Sequence, residues 1–235
     1  MKDQCAIQRR IQVLIPSFRP LQLVGTLDSL ICQARSPELV QIVVGLDEGD
    51  LEASQQILRY RAMKAVDTDI TFRWLPVTTP FDIRTAYNMM AQPRPACIVN
   101  LNDDCLMMTP GWDQLLMMMP IGTLGLIHEY DNATEGSFTV IPSDHLERWG
   151  CLYPDFLAPA WGTDRWLLHE YRERGPTMQL PITVLHLRSP WNPRYVRPDD
   201  SEQVRRWAEA PARAGAGKTP GDGPSLPAEG DGKSS

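Results

Sequence analysis

Short apolar runs alternate with longer segments whose apolar residues recur every three or four positions. RIQVLIPS (10–17) is apolar almost throughout and ends Pro-Ser, the pattern of a buried strand. PLQLVGTLDSLICQ (20–33) places Leu23, Leu27, Leu30 and Ile31 on one helical face. LVQIVVGLD (39–47) predicts a second buried strand running into the acidic turn DEGD. LEASQQILRYRAMKAV (51–66) predicts a helix with Leu51, Ile57, Leu58 and Met63 turned inward. ITFRWLPV (70–77) reads as a third strand, DIRTAYNMMAQ (82–92) as a helix with Asp82 near its start, and ACIVNLN (96–102) as a fourth strand. Then come a short helix in GWDQLLMMMP (111–120) and strands in TLGLIHE (123–129) and SFTVIPS (137–143). TDRWLLHEYRERG (163–175) is a strongly patterned helix that stops on glycine, and PITVLHLR (181–188) is a last strand.

Strands alternating with helices imply βαβ units. The expected fold is therefore a single α/β domain with a mostly parallel central sheet flanked by helices. In open sheets of that kind, ligands sit beyond the carboxyl ends of the strands. Three of the early strands end in Pro16-Ser17-Phe18-Arg19, in Asp47-Glu48-Gly49-Asp50 and in Asn102-Asp103-Asp104, so two of the three carry acidic clusters to that edge. Like charges at the end of a buried strand are costly unless something pairs with them. An open turn would relieve Asp103 and Asp104, as would a basic side chain or a cation.

Composition changes this picture at its margins. EAPARAGAGKTPGDGPSLPAEGDGKSS (209–235) has almost no large apolar side chain and cannot bury enough surface to fold. The expected organisation is thus a folded body over 1–208 and a disordered tail over 209–235. A net charge of -6 and a pI of about 5.2 argue against a mainly electrostatic grip on nucleic acid. No apolar run is long enough to span a membrane, and MKDQCAIQRRIQVLIP lacks the apolar core of a secretory signal. Five scattered cysteines with no CxxC pair fit reduced thiols in a cytoplasmic protein. The paired and tripled methionines fit adaptable core packing. His128, His145 and His169 lack metal-ligand spacing and are given no role.

The motifs also fall in a specific order. A strand ends IPSFRP, a second ends GLDEGD, a helix carries RTAYN, and a strand ends LNDDC. Pro-Gly-Trp follows, and later a GTD opens an amphipathic helix. Over about residues 10–190 this order resembles the family 2 glycosyltransferases of GT-A fold, which are nucleotide-sugar-dependent enzymes. The resemblance implies that Asp47 accepts a hydrogen bond from the nucleobase and that Pro16 and Ser17 line the same pocket. Asn102-Asp103-Asp104 then matches the DxD motif. Asp104 is in the metal-binding place, Asp103 supports it on the nucleotide side, and Asn102 fills the first acidic place. Asp164 matches the general base of inverting members, and His186 the metal-binding histidine near the C-terminus of the domain. The implied reaction moves a sugar from a UDP- or GDP-sugar to an acceptor hydroxyl with help from Mn2+ or Mg2+. The compact body is similar to glycosyltransferases that some bacteriophages encode, which leaves a nucleic-acid acceptor open.

The chemistry stands beside the resemblance. A departing nucleoside diphosphate needs its charge neutralised. Hard divalent cations do this while bound to carboxylate oxygens, and Mn2+ also takes imidazole. Asp164 opens a helix, whose N-terminal dipole favours the carboxylate a general base requires. By position alone, Arg84 and Arg188 are candidate diphosphate partners through bidentate bonds. Trp161, beside Gly162 and Asp164, is the candidate to stack on an acceptor. Trp112, Trp166 and Trp191 could do the same chemistry, but core burial is the default for an aromatic side chain. RSPWNPRYVRPDD (188–200) is expected to lie irregularly over the same edge. Two departures from the family pattern, Asn102 for an acidic residue and Thr163 for the Glu of a Glu-Asp pair, keep a second reading open: a nucleotide-sugar-binding module without catalysis. A nucleotidyltransferase of similar shape is disfavoured, because PSFRP has no glycine to cradle phosphate.

Overall fold

The structure is a computed structural model that describes residues 10–17, 20–64, 68–77, 82–93, 95–130, 138–155, 157 and 163–187. Trp161, Arg188, Trp191 and the expected tail at 209–235 lie outside the described residues.

Eight strands form one sheet in the order β3-β2-β1-β4-β7-β6-β8-β5. β1 (Ile11–Ser17), β2 (Val40–Asp47), β3 (Asp69–Leu75) and β4 (Cys97–Asn100) are parallel neighbours. They are joined through α1 (Pro20–Gln33), α2 (Leu51–Lys64) and α3 (Ile83–Met90), since a parallel crossover needs an intervening element. The other half is mixed. β7 (Phe138–Pro142) runs antiparallel to both β4 and β6 (Leu124–Glu129). β8 (Thr177–His186) is parallel to β6, and the short β5 (Cys105–Met107) is antiparallel to β8. Only eight residues separate β6 from β7, too few for a crossover helix, so that pair must be antiparallel.

Both faces of the parallel half are covered, which is why its strands read as continuous apolar runs. Alternate side chains point to opposite faces. Ile11, Val13 and Ile15 join Leu23, Leu27 and Leu30 of α1 in one core, together with Ala53, Ile57 and Tyr60 of α2. Leu14 and Val43 face the other way, toward Ile83, Ala86, Tyr87 and Met90 of α3 and Trp166, Leu167 and Tyr171 of α6 (Thr163–Arg174), the helix that follows the short α4 (Trp112–Met117) and α5 (Asp144–Trp149).

Several sequence expectations change here. In α2 the inward face is Ala53-Ile57-Tyr60, spaced i, i+4, i+7, while Leu51, Leu58 and Met63 are exposed. The methionine runs are split: Met90 and Met107 are core, whereas Met89, Met108, Met117 and Met118 are exposed. Trp112 is no stacking platform, because it is fully buried with Nε1 donating to the Leu30 carbonyl at 2.9 Å. Trp166 is likewise core. The Pro-Gly-Trp-Asp run turns out to be a clamp on the end of α1. The Gly111 amide donates to Gln33 O at 2.6 Å, and buried Asp113 accepts from the Arg35 and Ser36 amides at 2.9 and 2.7 Å. Gly111 has φ of 69°, and a Cβ there would meet the Arg35 side chain at 3.2 Å, so this turn requires glycine. Among the described residues no helix is long and apolar enough to cross a membrane.

Candidate functional site

Register places the strand ends together. Leu14 of β1 is level with Asn100 of β4, and Ser17 with Leu46 of β2. Asp47 therefore ends β2 one residue beyond the level of Ser17, one strand spacing away. Past Asn100 the chain leaves the sheet through a turn at Asp103 and Asp104 before entering β5.

Both aspartates are enclosed, at 2% and 1% exposure, which excludes an open solvated turn. The Ser17 hydroxyl donates to Asp103 Oδ2 at 3.1 Å, joining the end of β1 to this turn. Thr26 of α1 donates its hydroxyl to the Asp103 carbonyl at 2.7 Å. Asp104 turns toward β8: its Oδ1 lies 3.2 Å from His186 Nε2. Strand pairing explains the meeting, since Cys105 is the cross-strand partner of His186 and the Leu187 amide donates to Asp104 O at 2.9 Å. On the far side of the imidazole, Nδ1 lies 3.1 Å from Glu129 Oε1 at the end of β6. Asn102 Nδ2 sits 3.4 Å from Nε2, and Phe138 stands edge-on to the ring.

This arrangement gathers buried carboxylates around one imidazole. Burial opposes charge on His186, but its hydrogen bond to Asp104 and the charges of Asp104 and Glu129 prevail and raise its pKa above the usual histidine range. Asp104, Cys105 and His186 present donor atoms within 4.8 Å of one another, close enough to share one cation. The thiol is the weak member. Burial lifts the Cys105 pKa well above its ordinary value, and the Asp104, Asp103 and Glu129 charges lift it further. Carboxylate and imidazole remain as donors, a set that fits Mn2+ better than Mg2+.

A second cluster stands where α6 begins. Asn88 of α3 accepts from the Leu152 and Tyr153 amides, both at 2.9 Å, and donates to the Tyr153 carbonyl at 2.7 Å. The Tyr153 side chain reaches the amide of Asn100 at the end of β4 and the hydroxyl of Thr163 at the start of α6. Asp164 follows Thr163 and is close enough for its charge to disfavour ionising the tyrosine, whose burial already does so. Asp164 is half-buried as a residue, and burial raises the pKa of its carboxyl against the favourable amides of its own first turn. Arg84 is engaged nearby. It donates to Asp82 Oδ2 at 3.0 Å and to the carbonyls of Asp155 and Leu157, tying α3 to that segment.

Of the residues singled out from sequence, Ser17 meets Asp103 and Asp104 meets His186, while Pro16 and Asp47 share the edge by register. Asp164 belongs to the second cluster, with Tyr153 and Asn100. Glu129 and Cys105 were not singled out. Nothing in their spacing marks them, because only the pairing of β6, β8 and β5 brings them to His186.

No family model matches the chain, and no curated protein matches it in sequence. Solved structures do match. The mannosyltransferase PcManGT from Pyrobaculum calidifontis, solved with GDP-Man and Mn2+, superposes with a TM-score of 0.63 at 13% identity over 92% of this chain and 67% of that one. S. aureus TarS 1-349 with UDP-GlcNAc gives 0.62 at 13% identity over 85% and 65% of the two chains. GalNAc-T7 with UDP, GalNAc and Mn2+ gives 0.59 at 12% identity over 77% and 44%. The chain has a GT-A fold. At these identities the likeness establishes the fold, and the chain spans about two thirds of PcManGT and TarS and less than half of GalNAc-T7. Within the GT-A fold, the Asp103–Asp104 turn occupies the carboxyl edge of the parallel strands, where such sheets bind ligands.

Proposed function

We propose that this chain is a glycosyltransferase that moves a sugar from a UDP- or GDP-sugar to an acceptor hydroxyl, with a divalent cation bound by Asp104 and His186. The observation that carries the reading is the 3.2 Å approach of Asp104 Oδ1 to His186 Nε2 in a buried, acidic corner of a GT-A sheet edge. A cation held there supplies Lewis-acid stabilisation to the leaving diphosphate. Ser17, Pro16 and Asp47 form the nucleoside side, with Asp47 accepting from the base, and Asp103 holds the turn through Ser17. Asp164 takes the proton of the acceptor hydroxyl. The acceptor oxygen bonds to the anomeric carbon, and the bond to the diphosphate breaks with its electron pair on the leaving group. This assignment applies to an inverting reaction. The Asp164 pKa, raised by burial, makes its carboxylate a stronger base than an exposed aspartate. Trp161 is assigned to the acceptor side. Arg84 serves the diphosphate only if it exchanges its partners at 82, 155 and 157.

The test is turnover of UDP- and GDP-sugars by the full chain with Mn2+, with and without Asp104→Ala. Hydrolysis or transfer by the wild type that falls at least about a hundredfold in the variant supports the reading. Full activity in Asp104→Ala would remove the metal assignment. A second reading, nucleotide-sugar binding without catalysis, is favoured by Asn102, whose neutral amide stands 3.4 Å from His186 Nε2 where a third carboxylate would add charge. Cation-dependent nucleotide binding with no turnover of any donor would select it.

A further inference from the structure

Glu129 is a buried acidic residue, only 3% exposed, that the proposed chemistry does not yet use. Its position depends on an irregularity in the sheet. Leu126 of β6 is level with Gln179 of β8, but His128 is level with Thr183, so three residues of β8 stand opposite one of β6. Without that break Glu129 would be level with Ile182; with it, Glu129 is level with Val184. The two extra residues preserve the alternation of faces and draw His186 back toward Glu129 by about 6.6 Å of strand. The result is an imidazole with a carboxylate at each nitrogen, Glu129 Oε1 to Nδ1 at 3.1 Å and Nε2 to Asp104 Oδ1 at 3.2 Å, with Phe138 standing against the ring.

We infer that Glu129 is a positioning residue for the cation site: it receives the Nδ1–H of His186 and so presents Nε2 to the cation beside Asp104. The inference rests on the reading of Asp104 and His186 as cation ligands. An imidazole ring turns about its outer torsion with little preference between its two faces, and an acceptor on one nitrogen selects both the orientation and the tautomer. A carboxylate in that place also makes the opposite nitrogen a better donor, and its loss typically weakens metal binding 10- to 100-fold.

The experiment is a titration of the full chain with Mn2+ in the absence of nucleotide, with free Mn2+ read by electron paramagnetic resonance. The variants are Glu129→Ala, Glu129→Gln and His186→Ala, and metal-free melting is recorded alongside. Glu129→Ala is expected to raise the Mn2+ Kd about 10- to 100-fold. Glu129→Gln keeps an acceptor oxygen and is expected to fall between wild type and Glu129→Ala while melting close to wild type. If Glu129→Ala fails to fold, Glu129→Gln carries the test. Wild-type Mn2+ affinity in the folded Glu129 variants, with His186→Ala weakened, would overturn the role of Glu129 and leave the cation site standing. Wild-type affinity in His186→Ala would overturn both.

Discussion

Asn88→Ala tests whether one side chain of α3 holds the 152–153 segment in place. In the structure Asn88 satisfies three backbone groups of the 152–153 segment: it accepts from two amides at 2.9 Å and donates to one carbonyl at 2.7 Å. Leu152 and Tyr153 are buried, so alanine leaves those groups without a partner in an enclosed place. A buried group that loses its bond costs about 1–3 kcal/mol. Three such groups give about 3 kcal/mol at the low end, a large share of a typical stability of about 5–15 kcal/mol. For a body of this size each kcal/mol moves the melting temperature by about 2–4 °C, so the variant is expected to melt about 6–12 °C below wild type. The assay is thermal and urea unfolding followed by circular dichroism, with nucleotide affinity measured below the transition. The segment also carries Tyr153, which links Asn100 to Thr163 beside Asp164, so any turnover should fall with stability while nucleotide affinity changes little. A loss below about 1 kcal/mol would refute the clamp.

Other expectations follow from the same geometry. His145 is fully buried, stacked on Tyr171 and hydrogen-bonded to the Leu152 carbonyl, and burial pushes its pKa down to about 4. Unfolded, it titrates near 6.5, so its neutral form contributes stability above that pH that is lost as pH falls from 6.5 toward 4. The loss is about 3 kcal/mol at most, visible in urea melts and flattened in His145→Gln. Asp164→Asn should retain nucleotide affinity and reduce transfer about 10²- to 10⁴-fold. The acid limb of the wild-type rate profile should lie above the ordinary aspartate range, because burial raises that carboxyl. Mn2+ should bind more tightly than Mg2+, and calorimetry on His186→Ala should show the preference narrowed, since the imidazole is the donor Mg2+ uses least.

Much of the parallel half was legible in the sequence, because both faces of its strands are buried and each crossover is local. α1 is the clearest case: its apolar residues Leu23, Leu27 and Leu30 are large and regularly spaced, and all three are core. α2 hides its inward face from the sequence, because those positions are filled by a small Ala53 and a polar-tipped Tyr60 while Leu51, Leu58 and Met63 lie outward. The site divides the same way. Chain direction and the edge rule pick out Ser17, Asp103 and Asp104 at strand ends, whereas His186 is marked only by the family resemblance. Glu129 and Cys105 depend on long-range pairing and on the break between Leu126 and His128, neither of which leaves a periodic trace. The Asp113 clamp was hidden for a related reason, because its partners lie 77 and 78 residues away.

The most direct test of the central claim is calorimetric titration of the full chain with UDP and with GDP, each with and without Mn2+, for wild type and Asp104→Ala. The account predicts that at least one nucleotide binds wild type, that Mn2+ tightens this binding, and that the tightening disappears in Asp104→Ala while the variant stays folded. Nucleotide binding equally responsive to Mn2+ in wild type and Asp104→Ala, or no nucleotide binding at all, would contradict it.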